Sequence, residues 1–197
     1  MKGQSTEFVG VVLAGGKSSR MGTDKALLAI DNLSMLDRSK ALLEEVGAAK
    51  VVVCRNEFSA GLLPDIYPAQ GPLSGIHAAI FETELPILVI PVDMPLLESE
   101  ALSLILKAGL ASQSVCHYQH HPLPIFIPNT KETRSYLEQT LSCHSGDKSK
   151  VSIKRFLSCL GSVALTPTKE QSLANANTPE QWQHYLTLNR IQRLSKD

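Results

Sequence analysis

The chain has no surplus of charge of either sign and no long apolar run, and these absences exclude several classes of protein. Its 197 residues carry 19 Lys and Arg against 19 Asp and Glu, so the formal net charge is zero. A general nucleic-acid or membrane binder needs a basic excess, so neither class fits. No apolar run approaches the length of a membrane span, and residues 1–7 are too polar for a signal peptide. We therefore expect a cytoplasmic protein.

Cysteine motifs are also missing. The four cysteines are widely spaced, and none belongs to a Cys-x-x-Cys pair, which argues against a zinc site or a redox motif. Each lies in or beside an apolar run, so we expect four buried, reduced thiols. The four are Cys54, Cys116, Cys143 and Cys159.

The most informative stretch is the loop that follows the first apolar run. Residues 8–13 are apolar on both faces, as in a parallel sheet, and they lead into Gly15 and Gly16. Glycine has no Cβ, so backbone N–H groups can approach a ligand closely. Three cations follow within nine residues: Lys17, Arg20 and Lys25. The loop therefore suits a polyphosphate. The alternative is a basic surface loop without a ligand, because lone glycine motifs are weak evidence.

This loop matches neither of two common phosphate-binding patterns. A P-loop would need glycine at position 11, where Val11 lies inside the predicted strand. The dinucleotide fingerprint Gly-x-Gly-x-x-Gly fails because Gly15 and Gly16 are adjacent. A nicotinamide-dependent oxidoreductase is therefore a poor alternative.

Strands and helices alternate along the chain, which predicts an α/β fold. Apolar runs predict strands at 8–13, 50–54, 86–90, 114–118, 123–127 and 162–165. Helical spacing and cap residues predict helices that begin near Ser34 and Ser74 and helices at 98–109, 130–142 and 149–160, with a polar hinge at 143–148. We predict a single doubly wound domain over 1–197, with a mostly parallel central sheet, flanking helices and a frayed polar tail at 188–197.

Residues 13–28 resemble the N-terminal motif of the MobA-like nucleotidyltransferases. They read Leu-Ala-Gly-Gly-Lys-Ser-Ser-Arg-Met-Gly-Thr-Asp-Lys-Ala-Leu-Leu. The form with two glycines and Asp24 before Lys25 is most similar to the family's molybdenum cofactor guanylyltransferases. Further similar stretches follow in family order: Asp65, Gly71-Pro72-Leu73, Asp93 before Pro95, His121-Pro122 and Asn175 to Glu180. Val92 stands where the family commonly has cysteine, and both residues are apolar.

The resemblance implies a Rossmann-like nucleotidyltransferase fold of the GT-A kind and a specific reaction. GMP would pass from GTP to a molybdopterin-type cofactor, which forms a guanine dinucleotide cofactor and releases pyrophosphate. Magnesium is the implied cofactor. The resemblance also implies transient contact with molybdoenzymes or their chaperones.

The resemblance also assigns residues to roles. The implied catalytic residues are Arg20, Lys25 and Asp93, with Asp93 as the magnesium ligand. The implied nucleotide contacts are Leu13, Ala14, Gly15, Gly16, Lys25, Asn56, Asp65 and Asp93. On the acceptor side the implied residues are His121, Asn175 and Asn177.

The residues themselves leave alternatives open. Asp93 alone fits a helix N-cap or a turn, and Thr178-Pro179-Glu180 fits an ordinary helix start. A metal reading of His120-His121 is weak because no nearby Cys or acid completes a ligand set. Among functions, the alternatives are a nucleotidyltransferase that uses CTP or a sugar-phosphate acceptor, and a non-catalytic nucleotide-binding regulator.

Overall fold

The computed structural model describes residues 7–15, 24–56, 60–143 and 151–194. The strands in these ranges are β1 Val9–Leu13, β2 Ala29–Ile30, β3 Leu33–Ser34, β4 Lys50–Cys54, β5 Leu62–Leu63, β6 Ile87–Pro91, β7 Val115–Tyr118, β8 His121–Ile127 and β9 Ser162–Leu165. The helices are α1 Met35–Glu45, α2 Pro72–Phe81, α3 Ser99–Ser112, α4 Lys131–Cys143, α5 Ile153–Leu160 and α6 Pro179–Leu194. Two short 3₁₀ turns span Lys25–Leu27 and Glu170–Leu173.

The central sheet has seven strands in the order β5-β4-β1-β6-β8-β7-β9. The pairings β5–β4, β4–β1, β1–β6 and β7–β9 are parallel, while β8 runs antiparallel to both of its neighbours, β6 and β7. The prediction of a mostly parallel sheet is confirmed. The strands β2 and β3 form a separate hairpin.

Helices cover both faces of this sheet, so the central strands are buried on both sides. In β6, Leu88 and Ile90 face one core cluster, while Ile87 and Val89 face the other. The first cluster contains residues of α1, α3 and α6, and the second contains residues of α2, α4 and α5. This alternation explains why the central strands read as unbroken apolar runs in the sequence.

Helix α1 shows how local sequence sets an element. The Ser34 hydroxyl accepts from the Asp37 backbone N at 3.0 Å, which caps the helix as the sequence predicts. The helix then packs very closely on β1. A Cβ added to Gly10 would lie 2.9 Å from the Leu43 Cβ, so glycine is required there for this packing.

The register aligns the carboxyl ends of three neighbouring strands. Leu13 of β1 pairs with Cys54 of β4 on one side and with Pro91 of β6 on the other. The residues that follow these three strands therefore leave the sheet at the same edge. Parallel α/β sheets bind ligands at this edge.

Three sequence expectations are corrected. Cys54 and Cys116 are buried as expected, but Cys143 and Cys159 are exposed because each lies on the outer face of its helix. The segment 188–197 was expected as a frayed tail, yet α6 continues through Leu194. Its Asn189 is buried and donates to Asp31 Oδ2 at 3.3 Å, which ties the helix to the β2–β3 hairpin.

None of the helices in the described ranges combines the length and the apolar character that a membrane span requires. The predicted hinge at 143–148 lies outside the described residues after Cys143. Helix α5 begins at Ile153 rather than at residue 149, with Ser152 accepting from the Arg155 backbone N as its cap.

Candidate active site

Four predicted site residues meet at the carboxyl edge of the sheet. Asp93 follows β6, and its Oδ2 accepts from Lys25 Nζ at 2.8 Å. Its Oδ1 accepts from Asn175 Nδ2 at 2.6 Å. Lys25 Nζ also donates to Asn177 Oδ1 at 2.8 Å. The fold therefore brings together one carboxylate, one ammonium and two amides from three distant parts of the chain.

The segment that carries the two asparagines is held in place by backbone contacts. The Ala176 N donates to the Asp93 carbonyl at 2.8 Å, and this bond holds the segment with the two asparagines beside Asp93. The Asn177 N donates to Gln181 Oε1 at 2.8 Å, and the Gln181 N donates to the Thr178 hydroxyl at 3.3 Å. The predicted Thr178 cap is therefore present, and it fixes the start of α6 beside Asn177.

Lys25 is placed by a short 3₁₀ turn that the sequence prediction did not include. Asp24 precedes the turn and its Oδ1 accepts from the Ala26 N at 3.0 Å. Its Oδ2 contacts Arg55 Nη2, and Arg55 directly follows β4. The relative exposure of the Lys25 and Asp93 side chains is 17% and 19%, so their ion pair is partly shielded from water.

Asn56 and Asp65 form a second pair at the same edge. Asn56 Nδ2 donates to Asp65 Oδ2 at 2.7 Å, and the Asp65 N donates to Asn56 Oδ1 at 2.8 Å. Helix α2 packs closely beneath them. A Cβ on Gly75 would lie 2.8 Å from Leu13 Cδ2, 3.1 Å from the Cys54 Cβ and 3.7 Å from Asp65 Oδ1. Within the Gly-Pro-Leu-Ser-Gly stretch, Gly75 therefore allows α2 to pack closely against the ends of β1 and β4.

Burial changes the acid–base behaviour of this second pair. Desolvation raises the pKa of Asp65 above its ordinary value, and the hydrogen bond from Asn56 opposes that rise. Burial, together with the charge of Asp65, raises the pKa of the Cys54 thiol to about 12. Cys54 is therefore an unreactive, protonated thiol near the site, whereas the carboxyl group of Asp65 is partly desolvated.

The raised pKa of Asp65 predicts a pH-dependent stability change. Because the folded chain holds the Asp65 proton more tightly than the unfolded chain, ionisation opposes folding as pH rises from the ordinary pKa of 3.8 through the folded value. Asp65→Asn removes this effect, so its melting temperature relative to wild type should rise as the pH increases above about 3.8 and then level once Asp65 of the folded wild type has ionised. Calorimetry across that range measures it. A difference that falls with pH would contradict the desolvated carboxylate.

Some backbone groups at the end of β1 already form hydrogen bonds with neighbouring strands. The Ala14 N donates to the Cys54 carbonyl at 3.0 Å, and the Leu13 carbonyl accepts from the Val92 N at 3.1 Å. A nucleotide contact at Ala14 would therefore need a backbone atom other than its N, whereas the Leu13 carbonyl has a second lone pair that can accept a further hydrogen bond. Gly15 comes next and is exposed.

Nothing in the described protein explains why residue 15 is glycine. A Cβ there would meet only the Cys54 carbonyl, at an unstrained 3.9 Å, and the φ angle of Gly15 is not in the left-handed region. A ligand that approaches the backbone too closely for a side chain would account for glycine at this position.

This observation predicts that Gly15→Ala folds normally but binds nucleotide poorly. We expect a melting temperature within about 2 °C of wild type, since an exposed substitution without a clash usually changes stability by no more than about 0.5 kcal/mol. The KM for nucleotide should rise at least about tenfold, the cost of a misfitted contact of roughly 1.4 kcal/mol. Steady-state kinetics beside a melting curve measures both. An unchanged KM would show that no ligand approaches residue 15.

His121 contacts the 3₁₀ turn that precedes Asn175 and Asn177 in the chain. Its Nε2 is 2.7 Å from Glu170 Oε1, in the 3₁₀ turn that leads into Asn175. His120 is in the β7–β8 turn, with φ of +64°. Within the described ranges, no group of three His, Cys, Asp or Glu side chains is placed to hold a metal ion. The weak metal reading of the two histidines gains no support.

Two predicted residues cannot be placed. Gly16 and Arg20, together with Lys17, lie outside the described residues. Sequence reasoning also missed two residues that support the site, Arg55 and Gln181. Arg55 could have been found, because it is a charged residue directly after a predicted buried strand. Gln181 could also have been found, because it stands three residues after the Thr178 cap, which is the spacing of a capping box.

The site offers hard oxygen donors that suit magnesium. Asp93 supplies a carboxylate, and Asn175 and Asn177 supply amide oxygens close by. Magnesium is commonly held by one or two carboxylates together with substrate phosphates and water. Asp93 is a single carboxylate, and Lys25 beside it can pair with phosphate. This arrangement fits a magnesium ion that binds together with its nucleotide.

Comparison with known proteins identifies the family. The sequence profile of the MobA-like NTP transferase domain matches residues 10–161. A molybdenum cofactor guanylyltransferase of Xanthomonas euvesicatoria pv. vesicatoria is 35% identical over 178 residues, which cover 89% of this chain and 92% of that protein.

Solved structures share the fold. The molybdopterin-guanine dinucleotide biosynthesis protein A of Archaeoglobus fulgidus has a TM-score of 0.74 at 19% identity, over 93% of this chain and 100% of that one. The 2-C-methyl-D-erythritol 4-phosphate cytidylyltransferase of Thermus thermophilus has a TM-score of 0.63 at 15% identity, over 93% and 99%. The fold is therefore common to proteins named for different nucleotides, and it does not by itself select one.

Proposed function

The chain belongs to the MobA-like NTP transferase family, and from this premise we propose that it is a molybdenum cofactor guanylyltransferase. The reaction transfers GMP from GTP to a molybdopterin-type cofactor and releases pyrophosphate. The acceptor's terminal phosphate oxygen forms a bond to the α-phosphorus of GTP. The bond from that phosphorus to the oxygen that bridges it to the β-phosphorus breaks, and pyrophosphate leaves with the electron pair.

The observation that carries the proposal is the cluster of Lys25, Asp93, Asn175 and Asn177. A phosphate nucleophile is already anionic, so the reaction needs no strong base. The difficulty is to bring two polyanions together and to neutralise the charge that moves onto the leaving pyrophosphate. The cluster contains a cation and a metal-binding carboxylate, which match these two needs.

Two hydrogen bonds fix the position of the Lys25 ammonium. Its ammonium is held by Asp93 and Asn177 at 2.8 Å each, so its position is set before a nucleotide arrives. A bound triphosphate can draw the ammonium from Asp93, which frees Oδ2. We propose that Asn175 keeps the Asp93 carboxylate oriented through Oδ1 during that exchange.

We propose that Asp93 holds magnesium, with amide oxygens of Asn175 or Asn177 nearby. When bound, the ion would neutralise phosphate charge and orient the α-phosphate. The chain's own residues do the rest: Lys25 binds phosphate oxygens, and Gly15 lets the backbone approach the nucleotide. Asn56 and Asp65 present amide and carboxylate groups that can fix the ribose or base.

The choice of GTP over CTP rests on the sequence relative. The guanylyltransferase of Xanthomonas is 35% identical over nearly its whole length, whereas the cytidylyltransferase of Thermus is similar in fold alone. We also propose that the product is handed to a molybdoenzyme or its chaperone by transient contact. A non-catalytic regulator is less favoured, because nucleotide sensing alone does not need Lys25 and Asp93 paired.

Binding and turnover together test the proposal. Melting curves with GTP, CTP, ATP and UTP, each with and without magnesium, identify the nucleotide. A nucleotide at about 100 times its Kd adds about 2.7 kcal/mol, or roughly 5–10 °C for a chain of this size. The preferred nucleotide is then incubated with molybdopterin-type cofactor. Guanine dinucleotide and equimolar pyrophosphate are the expected products. A cytosine dinucleotide, or GTP binding without pyrophosphate release, would contradict guanylyl transfer.

A further inference from the structure

Arg55 is a charged side chain at the site edge to which the proposed reaction gives no role. It directly follows β4, and its Nη2 contacts Asp24 Oδ2. The relative exposure of the two side chains is 14% for Arg55 and 31% for Asp24, so the pair is shielded on the arginine side. The contact joins residues 31 positions apart, at the end of β4 and at the turn before Lys25.

The partner of Arg55 controls the turn that carries Lys25. While Asp24 Oδ2 meets Arg55, its Oδ1 accepts from the Ala26 N at 3.0 Å. The Leu27 N donates to the Asp24 carbonyl at 3.1 Å, which closes the turn. Lys25 is the first residue of this turn, and its Nζ reaches Asp93. A continuous chain of contacts therefore runs from Arg55 through Asp24 and the turn to Lys25.

We infer that Arg55 is a positioning residue for Lys25, an inference that rests on the proposed function. Lysine has a long flexible stem, so the location of its ammonium depends on where its backbone is held. In the structure, Asp93 and Asn177 hold the ammonium directly. Once phosphate draws the ammonium from Asp93, the capped turn becomes the main restraint. Arg55 therefore matters most during the reaction, and its loss affects kcat more than folding.

A double-mutant cycle separates this role from a merely structural one. Arg55→Gln should lower kcat by roughly 10- to 100-fold, the scale of a misplacement of about 1 Å, with the KM for GTP changed less than about threefold. In a Lys25→Ala background the same change should lower kcat less than about twofold, because the residue it positions is gone. Full additivity would overturn the inference, since Arg55 would then act directly or through another group.

Two matched variants test whether the loss of any buried arginine, or of the positive charge alone, would lower kcat in the same way. Arg134 is a second half-buried arginine, hydrogen-bonded to the Thr83 carbonyl at 2.7 Å and paired with Glu84. Both partners precede β6, whereas Asp93 follows it, so Arg134 lies away from the site. Arg134→Gln should leave kcat within about twofold, and it should show no coupling to Lys25→Ala. Arg55→Lys keeps the charge but loses the planar fork, so its kcat should lie between wild type and Arg55→Gln.

A second variant guards against misfolding of the first. Asp24→Asn keeps an oxygen for the Ala26 N but loses the charge that meets Arg55, so it should reproduce the low kcat and the coupling to Lys25. If it is additive with Lys25→Ala, the inference fails. Failure of the inference and failure of the proposed function are distinguishable. Without wild-type transfer of GMP the function fails, whereas an active wild type with additive variants overturns the Arg55 role alone.

Discussion

Replacing Lys25 with alanine should lower kcat for guanylyl transfer by roughly 30- to 1,000-fold, which corresponds to about 2–4 kcal/mol of lost transition-state stabilisation. The reason is geometric. The ammonium is held 2.8 Å from Asp93 and from Asn177, so it is fixed beside the carboxylate that we propose as the magnesium ligand. Charge that develops on the leaving pyrophosphate would lose a preorganised partner. Single-turnover rates at saturating GTP and acceptor measure the effect on chemistry.

A second lysine of the same sheet provides the control. Lys50 begins β4, at the opposite edge from the site, and makes an exposed ion pair with Glu82 at 3.9 Å. Lys50→Ala removes the same charge and should change kcat less than about twofold, because Lys50 lies at the far edge of the sheet from Asp93 and its exposed ion pair is screened by water. If Lys25→Ala changes kcat less than about threefold, Lys25 has no catalytic role.

Asp93→Asn should be at least as damaging, with a loss of kcat on the order of 100-fold or more, because a bound metal ion supplies several kcal/mol of charge stabilisation. The amide keeps the size of the side chain and can still accept from Lys25, so the fold should persist. It removes the charge that would hold magnesium. The magnesium concentration for half-maximal rate should therefore rise at least about tenfold, which equals about 1.4 kcal/mol of binding.

The matched control for Asp93→Asn is Asp31→Asn. Asp31 has φ of +52° in the β2–β3 turn, a conformation that asparagine tolerates well. Removing its charge should leave the magnesium titration unchanged. A magnesium titration of Asp93→Asn that matches wild type would show that Asp93 is not the metal ligand. Melting curves of both variants check that lost activity does not come from lost structure.

Sequence reasoning succeeded where the fold depends on apolar periodicity. The strand at 50–54 is observed at the predicted bounds, and its run of three valines fits a strand that packs against helices on both faces of the sheet. The Ser34 cap and the break at Gly47, which has φ of +88°, set both ends of α1. These elements follow from local chemistry that a single sequence contains.

The same reasoning failed where the outcome depends on partners far along the chain. The two-residue strands β2 and β3 are too short to show periodicity, and the turn between them places Asp31 and Asn32 at positive φ angles. The end of α6 is polar in sequence, yet its Asn189 is buried against Asp31. Cys159 lies within an apolar segment but on its exposed face.

The candidate site shows the same division. Lys25, Asp93, Asn175 and Asn177 came from the resemblance to a family, because no local rule predicts that residues 82 positions apart share a hydrogen bond. The aligned ends of β1, β4 and β6 supply the physical reason for their meeting. The roles given to these residues stay predictions until the variants are measured.

The fate of the α-phosphate tests the central claim most directly. The protein is incubated with magnesium and molybdopterin-type cofactor, and with GTP labelled at either the α- or the γ-phosphate. We predict that the α-label enters the dinucleotide cofactor and that the γ-label is found only in pyrophosphate. Gamma-label in the cofactor, or release of labelled inorganic phosphate without a dinucleotide, would show a different bond cleavage and would contradict guanylyl transfer.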